Sequence, residues 1–141
     1  MSEQKHNAES EEEKPSLSPA EWEVMKVFWS HGELPAREAY TRLPSGHGWA
    51  IKTVKTLLSR LVNKGALVYQ QVGNSYHYQA KYSRDELTEE ELKEFTQRVL
   101  DGKTAPAISN LLEKGQLNSS EIARIRELLD QKEEEIKKAR K

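Results

Sequence analysis

The chain contains no cysteine. Disulfides, thiolate zinc sites, thiol redox switches and cysteine nucleophiles are thereby excluded together. Long apolar runs are missing too; the uninterrupted ones last a few residues, against the roughly 20 that a membrane helix needs. The N-terminus, MSEQKHNAESEEEKPS, has neither the basic start nor the apolar centre of a secretory signal. A soluble, cytoplasmic protein with no membrane partner is expected. His6, His31, His47 and His77 fall in a tail, at a helix end, in a loop and in a strand, with no pair at metal-ligand spacing. No serine or aspartate constellation surrounds them that would make a nucleophile, and the glycine pattern of a phosphate loop does not occur. Glu89, Glu90 and Glu91 are adjacent and read as a solvated helix face. No metal, no cofactor and no enzymatic activity are expected, and 141 residues leave no room for a large multi-domain enzyme.

Acidic residues are scarce in one segment only. Residues 34–82 carry seven bases (Arg37, Arg42, Lys52, Lys55, Arg60, Lys64, Lys81) against one acid, Glu38, an excess of +6 within a chain of net charge -1. The flanks are acidic, with eight acids and three bases before this segment and fourteen acids and twelve bases after it. Such a footprint suits a polyanion-binding module, chance clustering on a solvated surface being the alternative.

Residues 1–16 lack hydrophobic periodicity and read as a disordered acidic tail. Order is expected to begin at LSPAEW. Ser18 can cap a helix with Pro19 at its first position, Glu21 completes a capping box, and Leu17 can meet Trp22 as a hydrophobic staple. Trp22, Met25, Val27, Phe28 and Trp29 give that helix a broad apolar face for core packing, and Gly32 stops it. Pro35 opens a short second helix over about 36–43, closed before PSGHG. A third covers 50–64 and ends on Gly65. ALVYQQVGNSYHYQAKY then alternates apolar or aromatic with polar residues around Gly73-Asn74-Ser75, which predicts two strands and a tight turn. Helix, short helix, helix and hairpin is the order of a winged helix-turn-helix, so 17–82 is expected to be a winged-helix DNA-binding domain.

The remainder reads as helical. Ser83 and Glu86 fit a capping box for a helix reaching about Asp101 and ended by Gly102; Thr104 and Pro106 open another that stops at Gly115; Asn118 with Glu121 caps the last. Leu92, Phe95, Val99, Ile108, Leu111, Leu112, Ile122, Ile125 and Leu129 form sparse apolar stripes along these helices. In the last one the spacing is heptad-like as far as Ile136, broken where Lys132 takes a seam position. Packing across a two-fold axis would bury such stripes, so 83–141 is expected to be a helical dimerisation region of a homodimer. Folding back onto the N-terminal domain is the alternative. The expected fold class is mainly α with a small β-hairpin wing.

WAIKTVKTLLSRLVNKG, residues 49–65, holds the chemistry. At about 100° per residue, Ala50, Ile51, Val54, Leu57, Leu58, Leu61 and Val62 share one arc, and Lys52, Thr53, Lys55, Thr56, Ser59, Arg60 and Asn63 the other. The polar arc has no acid, although a solvated face ordinarily mixes signs because opposite charges at i,i+4 support the helix. Lys and Arg can donate to guanine, Asn can pair with adenine, and Thr offers thymine a hydroxyl and a methyl. Recognition helices reach bases with their N-terminal part, which makes Lys52, Thr53, Lys55 and Thr56 the expected base readers and Ser59 and Arg60 phosphate contacts. Asn74, Ser75 and His77 form a second candidate surface on the hairpin, along the backbone or minor groove of double-stranded DNA. Tyr76 and Tyr78 suit either that surface or cross-strand packing.

LSPAEWEVMKVFW, KTVKTLLSRLVNKGAL, YHYQA and NLLEKGQLNSSEIARIRELL resemble, in order and spacing, the BlaI/MecI/CopY family of bacterial repressors, from about Leu17 to Leu129. The resemblance implies a dimeric winged-helix protein that binds inverted-repeat operator DNA and blocks transcription, with Lys52, Thr53, Lys55, Thr56 and Arg60 matching the family's recognition helix. Members resembling CopY use a C-terminal cysteine cluster for copper, which this chain lacks. Members resembling BlaI and MecI are inactivated by proteolysis at an Asn-Phe bond in the dimerisation region. The aligned pair is Asn110-Leu111, which keeps the asparagine and not the aromatic. It is read either as a candidate cleavage site for a regulatory protease or as an ordinary helix position with Leu111 in the dimer core. Ala50 stands where relatives tend to have a polar helix cap, so Gly48 or the nearby loop would have to cover the open amides. Two other functions fit the same elements: a ligand-responsive regulator of the MarR-like kind, and a winged helix used for protein contacts.

Overall fold

The structure, a computed structural model, describes residues 13–44 and 47–140. Most of the expected acidic tail lies outside the described residues, and 13–16 form neither helix nor strand. Helix α1, Pro19–His31, starts in the expected capping box: the Glu21 amide donates to Ser18 Oγ at 3.2 Å and the Ser18 amide to Glu21 Oε1 at 2.7 Å. Strand β1, Leu34–Pro35, and helix α2, Ala36–Thr41, follow. Helix α3, Ile51–Lys64, ends on Gly65, whose φ of 85° is the left-handed conformation that glycine adopts without a Cβ penalty. Strands β2, Leu67–Val72, and β3, Ser75–Ala80, form the wing.

The third strand of the sheet was not expected. The order is β1-β3-β2, all antiparallel, with Leu34 opposite Tyr78 and Pro35 opposite His77. Two residues are too few for alternation to register in a sequence, and Pro35 signals the helix it precedes, which its extended φ of -75° and ψ of 163° also serve. Helix α2 ends at Thr41 and not near Leu43, because the chain tightens: the Arg42 amide is shared between Glu38 O at 3.1 Å and Ala39 O at 3.3 Å, and the Leu43 amide reaches Tyr40 O, i to i−3. Ser75, expected in the turn, begins β3.

The core lies between α1 and α3. Val24, Met25 and Phe28 from one helix meet Val54, Leu58 and Leu61 from the other, with Leu34, Ala39 and Leu67 closing the edges. Leu58 and Leu61 are fully buried, each burial being worth about 1.5–3 kcal/mol. Trp29, half-buried against this core, donates its indole N–H to Tyr82 O at 2.9 Å.

Helix α4, Arg84–Leu100, opens with the Ser83–Glu86 capping box, both hydrogen bonds at 3.1 Å. Its Leu87 is buried in the same core, so contacts extend the first compact unit past the wing to Glu94. The second unit begins at Phe95 and holds α5, Ala105–Lys114, and α6, Ser119–Ala139. Asn118 and Glu121 cap α6 reciprocally at 2.8 and 3.1 Å. Thr104, expected to cap α5, makes no side-chain capping bond because its backbone is already helical, at φ -80° and ψ -37°.

Candidate nucleic-acid interface

Helix α3 buries Val54, Leu57, Leu58 and Leu61 and exposes Lys52, Thr53, Lys55, Thr56, Ser59, Arg60 and Asn63. Every recognition residue expected from the sequence therefore shares one exposed face. Among the described residues no carboxylate lies within 4.0 Å of Lys52, Lys55 or Arg60. Uncompensated cations of this kind attract a polyanion more strongly than paired ones. Thr56 Oγ1 donates to Lys52 O at 3.1 Å, which commits its proton to the helix and leaves its methyl and lone pairs for a ligand. No side chain caps α3 at Ala50; the Thr53 amide donates to Ala50 O at 3.0 Å, while among the described residues no backbone hydrogen bond from Gly48 or the adjoining loop covers the Ile51 and Lys52 amides. That helix end presents free donors at the positive end of the dipole.

Lys64 behaves differently from the other basic residues. Its Nζ lies 2.6 Å from Glu21 Oε1 and donates to Ser16 O at 3.0 Å. Glu21 is 2% exposed and its Oε2 has no hydrogen-bond partner among the described residues. Burial pushes the Glu21 pKa up, but the hydrogen bonds from Lys64 and Ser18 and the Lys64 charge together outweigh it and hold the carboxyl below the usual glutamate range. One cation of the basic segment is thus engaged inside the fold. Sequence counting could not separate it from the rest, because its partner is far along the chain.

The loop before α3 is tied to α1. His47 stacks on Trp49 with ring centroids 4.4 Å apart, and its Nε2 lies 3.5 Å from Glu23 Oε2. Lys26, bonded to Glu23 at 2.9 Å, is the leading cause that keeps the Glu23 carboxyl below its ordinary value. In the wing, Tyr69 sits opposite Tyr78 in register, and its ring lies 5.2 Å from Tyr76 and 6.0 Å from Tyr78. The wing tyrosines thus pack across the strands. Burial, then the neighbouring Tyr69 and Tyr76, raises the Tyr78 phenol. Asn74 and Ser75 are exposed at the tip, whereas His77 is half-buried within β3, opposite Gln70 and Pro35. Arg37, on α2, was not singled out by sequence reasoning; the only signal for it was the basic excess.

In the second unit the apolar stripes stay uncovered. Ile108, Leu111, Leu112, Ile122 and Leu129 are exposed, Leu111 to 65%, and Ile125 is half-buried. A groove of about 610 Å³ between α5 and α6 is lined mainly by these leucines and isoleucines other than Ile122, together with Leu117 and Leu128, which sequence reasoning missed. On α4, Leu92, Phe95 and Val99 are exposed as well. Asn110 and Leu111 lie within α5. Among the described residues, no helix is long and apolar enough to cross a membrane, and no group of three or more His, Asp or Glu could hold a metal ion.

Residues 17–131 match the model of the family described as penicillinase repressor. The chain belongs to the penicillinase repressor family. It is 32% identical over 117 residues to the penicillinase repressor of Bacillus licheniformis, covering 83% of this chain and 91% of that protein. To the methicillin resistance regulatory protein MecI of Staphylococcus aureus strain N315 it is 28% identical over 116 residues, covering 82% and 94%. The solution structure of the Bacillus licheniformis BlaI monomeric form in complex with the blaP half-operator matches at 36% identity over 52% of this chain and 89% of that one, with a TM-score of 0.46. The penicillinase repressor family is the one that the motifs of α1 and α3 resemble, and the mostly helical fold with its small antiparallel sheet is the expected class.

Proposed function

We propose that this chain is a DNA-binding transcriptional repressor that acts in the cytoplasm as a homodimer on an inverted-repeat operator. The observation that carries the reading is the exposed, acid-free face of α3 in a member of the penicillinase repressor family. With α3 in the major groove, Lys52, Thr53, Lys55 and Thr56 meet base edges from its first two turns, while Ser59 and Arg60 meet phosphate. Asn74 and Ser75 follow the backbone or minor groove from the wing tip, with His77 behind them. The open amides at Ala50 add donors where the helix approaches the duplex.

Two copies join through the apolar faces of the second unit, whose contact set is Ile108, Leu111, Leu112, Ile122, Ile125 and Leu129, and through Leu92, Phe95 and Val99 of α4. Release follows cleavage of Asn110-Leu111 by a regulatory protease. Helix α5 has ten residues, none buried within its own chain, and no capping side chain, so opening it to a protease costs little once the two copies part. Binding to duplex DNA measured across a salt series tests the central reading, since contacts to several phosphates must make affinity fall steeply with salt. Absent or salt-insensitive binding would sink it.

A further inference from the structure

A cleft of about 450 Å³ opens between the start of α2, the wing-facing flank of α3 and the start of β3. Arg37 lines one wall and Lys55 and Ser59 another, with Ser75 and Tyr76 from the wing, and no lining residue is acidic. Arg37, Lys55, Ser59, Ser75 and Tyr76 are all exposed, so the cleft is open to solvent. Among the described residues Arg37 has no carboxylate within 4.0 Å. Three elements therefore converge on one concavity with two cations, four hydroxyl groups (Ser59, Ser75, Tyr76 and Tyr78) and no negative charge. A singly charged, multiply accepting group fits that donor set: the guanidinium presents a planar fork to two oxygens, and the Ser59 and Tyr76 hydroxyls supply further donors, whereas Ser75 commits its proton to Val72 O at 3.3 Å.

We infer that this cleft seats one backbone phosphodiester of the bound duplex, and that Arg37 is its anchor. The inference rests on the DNA-binding reading above and adds to it a residue from outside the recognition helix and the wing. Lys55 strengthens the positive field of the cleft from the opposite wall while its amine stays exposed along the base-reading edge. Because a phosphate is present at every step of a duplex, Arg37 contributes affinity and register and not base preference.

The test compares the full-length wild-type chain with Arg37→Gln, Arg37→Lys and Arg42→Gln on operator and unrelated duplexes over a series of salt concentrations. Arg42 caps the C-terminal end of the same helix and lies outside the cleft. Arg37→Gln is expected to weaken binding to both duplexes by the same factor and to make the slope of log affinity against log salt shallower by about two contacts, one from each copy of the dimer, near 1.8. Arg37→Lys should restore the slope with part of the affinity, and Arg42→Gln should leave the slope unchanged. Both substituted arginines are exposed, so thermal unfolding should match the wild type. A wild type that binds with a steep slope, beside an Arg37→Gln variant of the same slope or one that alters base preference, overturns the inference and leaves the DNA-binding reading standing. A wild type without salt-dependent binding removes both.

Discussion

The two units of the chain contain similar amphipathic helices and use them in opposite ways. In the first, α1 and α3 turn their apolar faces toward each other, and Met25, Val54, Leu58 and Leu61 reach complete burial. In the second, α5 and α6 carry leucines and isoleucines at equally regular spacing, yet neither helix has a buried residue. An amphipathic pattern therefore records what a helix must cover, without saying whether its own chain covers it. The exposed leucines of the second unit, 44–65% exposed, hold back part of the roughly 1.5–3 kcal/mol that each counterpart in the first realises. That difference is the physical argument for a second copy.

Removing α5 and α6 should produce the largest effect. A chain ending at Gly102 is expected to be a folded monomer in sedimentation, with operator affinity lower by about 10²–10⁴-fold, since two half-sites are no longer held at high effective concentration. A truncated protein that stays dimeric at full affinity would contradict the contrast. Next, Leu61→Ala should cost about 2–5 kcal/mol in chemical denaturation at any protein concentration, through the cavity it leaves. Leu129→Ala should instead act by raising the dimer dissociation constant, visible as a concentration-dependent transition.

Lys64→Met, which strands the buried Glu21 carboxylate, should destabilise by about 2 kcal/mol, less than a fully enclosed pair because the lysine remains partly in water. The sign of the pH dependence follows from the lowered Glu21 pKa. Its stabilising contribution is complete above the unfolded-state glutamate range and disappears as pH falls through the lower folded value. Stability should thus decline on acidification, and Glu21→Gln should flatten that decline.

Thr56→Ala should cost about 1–3 kcal/mol on the preferred operator and relax selection at one base pair, as read by binding to a panel of substituted sites. Equal weakening on every DNA would move Thr56 from bases to backbone. The smallest change should come from Ala50→Ser, which supplies the missing cap of α3 and should raise stability by about 1 kcal/mol in thermal unfolding.

Local chemistry made much of this fold legible. The capping boxes at Ser18, Ser83 and Asn118 join residues three apart, Gly65 ends α3 beside the residue that needs it, and the hairpin turn lies within its own strands. What stayed hidden was long-range. Lys64 reaches Glu21 across 43 positions and Trp29 reaches Tyr82 across 53, while β1 is a strand only because β3 lies beside it. The same division holds for the interface. The exposed face of α3 follows from helical periodicity, but the place of Arg37 opposite Lys55 depends on how α2, α3 and the wing converge, which no single segment encodes.

Strand β1 has one more consequence, for self-association. It is an outer strand of the sheet, two residues long and ending in Pro35, which has no backbone N–H to offer a newcomer. That margin is a poor template for recruiting a strand from another molecule, so crowding of such chains does not seed cross-β growth from this side. Among the described residues only β2 presents the opposite margin, uncharged and with Val68 and Val72 exposed, and it is there that substitutions adding β-branched residues should first cost solubility.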